Sequence, residues 1–122
     1  MTEDSYYWAG GRKVHLRRVA DPGGPLARDA GEAPVYRAED GSLVAVLPEV
    51  RVESEDPSVL EEVTSSLRDA RVTLRTEERL VIVPDSGRGE DALALANRLA
   101  ESFDLAVAQA RFRRVVPRPD TS

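Results

Sequence analysis

Two stretches of helical periodicity, each set between stretches of strand-like alternation, limit most tightly what this chain can fold into. Residues 43–47 alternate as a strand and pair naturally with 35–37 across Glu39-Asp40-Gly41, since Asp-Gly favours a hairpin turn. Pro48 interrupts, and 50–53 continues in extended form. Asp56-Pro57 then supplies a capping residue followed by proline at the first helical position. Behind it Val59, Leu60, Val63, Leu67 and Ala70 recur at helical spacing, and Glu61 and Glu62 near the start complement the helix dipole. Residues 71–75 and 80–84 read as a hairpin, and the unbroken run Leu80-Val81-Ile82-Val83 predicts a central strand buried on both faces. A second helix is expected over roughly 90–102, with Ala92, Leu93, Ala96, Leu99, Ala100 and Phe103 inward. The last strand, 105–113, puts Ala106, Ala108, Ala110 and Phe112 on one side and Val107, Gln109, Arg111 and Arg113 on the other.

From Leu43 onward the order is strand, helix, strand, strand, helix, strand. It predicts an α+β, ferredoxin-like βαββαβ fold, an antiparallel sheet with two helices on one face. Residues 1–42 are expected to add an N-terminal extension with a strand or hairpin, 43–114 to form the core, and 115–122 an extended Pro/Arg-rich tail. Within the extension, Gly10-Gly11 marks a turn. After it Val14, Leu16 and Val19 point one way and Lys13, His15 and Arg17 the other. Residues 21–33, rich in Gly, Pro and Asp, read as a loop. Three of the six aromatic side chains, Tyr6, Tyr7 and Trp8, stand side by side near the start. They are expected to cover an edge of the core, with a partner contact as the alternative.

Bulk properties exclude several classes of function. At 122 residues, 41% of them hydrophobic, the chain can support one domain with its own core. Aromatics are 5%, so that core must be built from Val, Leu, Ile and Ala. A net charge of −5 argues against nucleic-acid binding, which needs a basic surface to displace counterions. Without cysteine there are no disulfides and no thiolate metal sites. No apolar run approaches the ~20 residues of a membrane span. The acidic start MTEDSYYW lacks the apolar segment of a secretory signal. The expectation is a soluble, cytoplasmic chain with no membrane or nucleic-acid partner.

Catalysis is hard to assemble from these residues. The single histidine, His15, falls on the polar side of an alternating strand. Asp85-Ser86-Gly87 follows an apolar strand, as catalytic aspartates do, but no second motif supplies a dyad partner or a serine triad. It reads as a strand-to-helix turn with Gly87 and Gly89 as turn residues. Gly87-Arg88-Gly89 before a helix has some character of a phosphate cradle but no P-loop lysine. The acidic residues at 53–56, 61–62 and 90–91 are spread along the chain and read as solvated helix faces. No enzyme, cofactor or metal is expected.

The chain ends Arg111-Phe112-Arg113-Arg114-Val115-Val116-Pro117-Arg118-Pro119. The prolines bias this tail toward extended geometry, suited to adding as a strand to a partner's cleft; the alternative is a linker. Three stretches resemble the N-terminal prodomain of bacterial subtilisin-like serine proteases. They are the aromatic–glycine–basic opening Tyr6-Tyr7-Trp8-Ala9-Gly10-Gly11-Arg12-Lys13-Val14-His15-Leu16, the strand Leu43-Val44-Ala45-Val46 with Arg51-Val52, and the closing helix and strand over 92–114. The chain departs from that family at Ala110, where proline is usual. The resemblance implies a domain that binds the protease through its sheet, assists its folding and inhibits it by laying a C-terminal segment in the substrate cleft. On that basis Arg111, Phe112, Arg113, Arg114, Val115, Val116, Pro117 and Arg118 are the candidate partner-binding residues. The alternative is a stand-alone ferredoxin-like regulatory or assembly domain that dimerises through its sheet.

Overall fold

The computed structural model describes residues 4–19 and 33–115. Strand β1 (Asp4–Ala9) turns at Gly10-Gly11 into β2 (Arg12–Val19), and both glycines take the positive φ of a two-residue hairpin turn. Next come β3 (Val35–Ala38) and the long β4 (Leu43–Glu53). Helix α1 (Pro57–Ser66), strands β5 (Ala70–Arg75) and β6 (Arg79–Pro84), helix α2 (Gly89–Ser102) and strand β7 (Val107–Val115) complete the order. The strand–helix–strand–strand–helix–strand sequence from Leu43 onward is as the periodicity implied. The 21–33 loop falls, but for Ala33, outside the described residues.

The expected ferredoxin-like sheet with an appended strand or hairpin is corrected to one seven-stranded antiparallel sheet, to which the first 42 residues give three strands. β4 is the reason. Along one edge it pairs with β7 over Leu43 to Val46 and again over Val50 to Glu53. Along the other, β3 takes Leu43, Val44 and Ala45, while β6 takes Val50 to Glu53. Between these halves the β7 register shifts over Val46 to Val50, spanning Pro48, which has no N–H to donate to a ladder. The bulge leaves the first half of β4 an edge that β6 does not reach, and β3 fills it, bringing β2 and β1 with it.

Alternation sends Val46, Val50 and Val52 of β4, Leu80 and Ile82 of β6, and Ala108 and Ala110 of β7 to one face. There they meet Leu60 and Val63 of α1 and Leu93, Ala96 and Leu99 of α2 in a single core. The run 80–83 is therefore not buried on both faces, because both helices lie on one: Leu80 and Ile82 are fully buried, Val81 and Val83 only half. A smaller cluster of Val35, Ala45 and Val115 lies on the other face of the first half of β4. Asp56 caps α1 as its position implied, accepting from the Ser58 N–H at 3.0 Å and from the Ser58 hydroxyl at 2.7 Å. These bonds hold the Asp56 carboxyl below its ordinary pKa. Leu67 and Ala70, expected within this helix, fall beyond its end yet still pack on the core.

Candidate protein-binding surface

The candidate residues at the chain's end do not leave the domain at Arg111. Arg111 to Val115 form the second half of β7, laddered onto β4 with Phe112 opposite Val46 and Val115 opposite Leu43. Arg111, Arg113 and Arg114 are exposed, and Arg111 meets Glu49 at 3.4 Å. The Phe112 ring packs half-buried against Tyr7, centroids 4.8 Å apart, and Val115 is buried in the smaller cluster. Val116, Pro117 and Arg118 lie outside the described residues. Three of the eight candidates thus offer exposed cations along one strand, and two serve the domain's own packing.

With α1 and α2 on one face, no helix of the described residues lies on the opposite face of β5, β6, β7 and the second half of β4. Cross-strand register sets its rows. Leu74 stands opposite Val81, Val81 opposite Arg51, and Arg51 opposite Gln109; Arg71 faces Val83 and Arg79 faces Glu53. A trough of about 480 Å³ runs over this face beside Arg51, Arg79 and Arg111. Glu53 ties Arg51 at 3.2 Å and Arg79 at 3.5 Å. Such exposed pairs contribute little to stability, so their role here is to set the charge pattern of the surface.

The aromatic opening sits at the other end of the sheet. β1 lies against α2 and the outer edge of β7, where side chains do the work of a ladder. Asn97 Nδ2 donates to the Tyr6 carbonyl and Gln109 Nε2 to the Trp8 carbonyl, both at 2.8 Å. Tyr7 turns inward to Phe112, as the expected cover of a core edge. Tyr6 and Trp8 turn the other way and converge on Glu101 Oε2, the phenol donating at 2.9 Å and the indole at 3.2 Å. Lys13 Nζ lies 4.2 Å from the Tyr6 ring centroid, a cation–π contact. Sequence reasoning missed Asn97, Glu101 and Gln109 as the groups that fix β1. The one signal was the spacing of Asn97 and Glu101, four apart on one face of α2.

The indole and phenol donors hold the Glu101 carboxyl below its usual pKa, and the same contact raises that of Tyr6. A lowered carboxylate contributes stability above its unfolded pKa and loses it as pH falls through the folded value. A raised phenol contributes below its unfolded pKa and loses it as pH rises through the folded one. We expect the fluorescence of Trp8, the chain's single tryptophan, to change on acidification from about pH 6 to pH 3, across the carboxylate range. Glu101→Gln should flatten that change, and an unchanged titration in the variant would refute the clamp.

The remaining sequence candidates are structural. His15 is exposed, and its backbone N–H donates to Glu39 Oε2 at 2.8 Å. Asp85-Ser86-Gly87 is the turn into α2: the Asp85 N–H donates to the Asp69 carbonyl at 2.7 Å and the Ser86 hydroxyl to Asp91. Gly89 packs closely on β4, where a Cβ would meet the Val46 carbonyl and the Pro34 ring. Among the described residues no group of three or more His, Cys, Asp or Glu is placed to hold a metal, and no helix is long and apolar enough to cross a membrane. No family model, curated protein or solved structure matches the chain.

Proposed function

We propose that this chain is a non-catalytic module that binds a subtilisin-like serine protease, assists its folding and inhibits it by placing its C-terminal segment in the substrate cleft. The observation that carries the reading is that β7 lies on a sheet face that no helix of the described residues covers and ends at Val115, directly before the final residues 116–122. The ladder of β7 to β4 fixes Val115, the point from which a docking segment would start. Pre-ordering of this kind reduces the entropy lost when an extended segment docks. Arg111, Arg113 and Arg114 would flank the approach, and occupation of the cleft falls to the residues beyond Val115. The test is a titration of subtilisin-like proteases, subtilisin itself among them, with the intact chain and a fluorogenic peptide substrate. The reading expects saturable inhibition of at least one protease; binding to none, with hydrolysis unchanged throughout, would remove it.

A further inference from the structure

The first four strands and β7 form a ring. β7 ladders onto β4, β4 onto β3, β3 onto β2 and β2 onto β1. Side chains close it, with the Tyr7 ring on Phe112 and the Gln109 amide on the Trp8 carbonyl. At the end of the ring where β3 turns into β4, a pocket of about 290 Å³ opens, at the small end of the range for ligand sites. Every strand of the ring gives it an apolar wall: Tyr7, Val14 and Leu16, Ala38, Val44 and Phe112. Leu16 is buried, but the others are only half-buried, so their apolar surface is left open on this side.

The mouth of this pocket is charged in both signs. Arg12, Glu39 and Asp40 line it. Arg12 and Glu39 meet at 3.4 Å, and Glu39 also accepts from the His15 N–H at 2.8 Å. Asp40 accepts from the Ser42 N–H at 2.9 Å and from the Ser42 hydroxyl at 2.6 Å, both on Oδ1. Arg114 stands opposite Val44 in the ladder, and so on the face of the sheet that Val44 and Phe112 share. The Ser42 donors first, and the Arg114 guanidinium behind them, hold the Asp40 carboxyl below its ordinary pKa. Two guanidinium groups and two carboxylates thus stand about one apolar pocket. All four side chains are exposed, so their pairing with one another is weak and a ligand can exchange for it.

Size and charge together select the ligand. The volume suits one ring or one branched chain. A neutral apolar molecule would strip water from charged groups and return no hydrogen bond, and a singly charged one would meet one attractive and one repulsive sign. We propose that this pocket binds a free α-amino acid with an aromatic or branched apolar side chain. That side chain fills the space between Tyr7, Val14, Val44 and Phe112. The ammonium faces Glu39 and Asp40, and the carboxylate faces Arg12. The inference stands apart from the protease reading, because the site uses none of residues 116–122 and the assay contains no protease; either can fail alone.

The test titrates the whole chain with L-phenylalanine and L-leucine, and with glycine, phenethylamine and 3-phenylpropionate, which lack in turn the side chain, the carboxylate and the ammonium. Amide chemical shifts report both site and affinity. At least one of the two apolar amino acids should bind saturably, with a Kd of about 1 mM or below, and shift amides within 12–16 and 38–44 and that of Phe112. Each truncated compound should bind at least about fivefold more weakly, the scale of one exposed charge pair. Arg12→Gln, at an exposed position that leaves the apolar walls intact, should weaken the amino acid about fivefold and leave phenethylamine unchanged. No binding of either amino acid, shifts confined to other residues, a truncated compound binding equally well, or undiminished binding to the Arg12→Gln chain would each overturn the proposal.

Discussion

Gly89→Ala is expected to destabilise the domain by about 3 kcal/mol or more, at or beyond the upper end for overpacking a core. Gly89 opens α2 and is buried. A Cβ there would overlap the Val46 carbonyl oxygen and come within 2.9 Å of the Pro34 ring. Neither is the free end of a flexible side chain, so relief requires moving α2 away from β4, at the bulge that lets β3 and β6 share one edge. Gly87 is the control. Its φ is +68° but its surroundings are open, so Gly87→Ala should lose only the ~1–2 kcal/mol of a left-handed residue. Urea unfolding of the two variants checks this, and equal losses would contradict the packing account.

Phe112→Ala should cost about 2–3 kcal/mol, below the ~3–5 of a fully buried ring because this one is half-buried. The ring joins two parts of the molecule, since it packs on the core and touches Tyr7 of β1. Its loss should therefore also loosen β1 and alter Trp8 fluorescence under native conditions, while Arg113→Ala, exposed on the same strand, should stay within about 0.5 kcal/mol of the parent. A neutral Phe112→Ala would mean that the ring is held for a partner rather than for the fold.

Much of the architecture was legible because its signals are local. Gly10-Gly11, Asp40-Gly41 and Asp56-Pro57 mark turns and a helix start through their own backbone preferences, and the two helices follow from the spacing of their apolar residues. The shared sheet was not legible. The β3–β4 hairpin was read from Asp40-Gly41, but that β6 takes the other half of the same β4 edge depends on where Pro48 interrupts the strand, a relation among distant segments. Leu80 to Val83 read as doubly buried because an apolar run does not say which face the helices cover. The end of β7 was hidden by composition: three arginines and two prolines read as an exit, yet alternation continued through Arg113 and brought Val115 inward. Asn97, Glu101 and Gln109 gave no sign of their role, since their partners in β1 lie more than ninety residues away.

Because Phe112 and Val115 serve the fold, substitutions there confound stability with binding, and the cleanest variant ends the chain at Val115. It keeps every described strand and removes only residues 116–122. Inhibition constants of the intact and shortened chains against the same subtilisin-like protease, with the fold checked by circular dichroism, test the central claim most directly. The account predicts that the intact chain inhibits and that the shortened chain, still folded, loses inhibition by at least about tenfold, or ~1.4 kcal/mol. Equal inhibition by both chains, or none by either across the proteases tested, would contradict it.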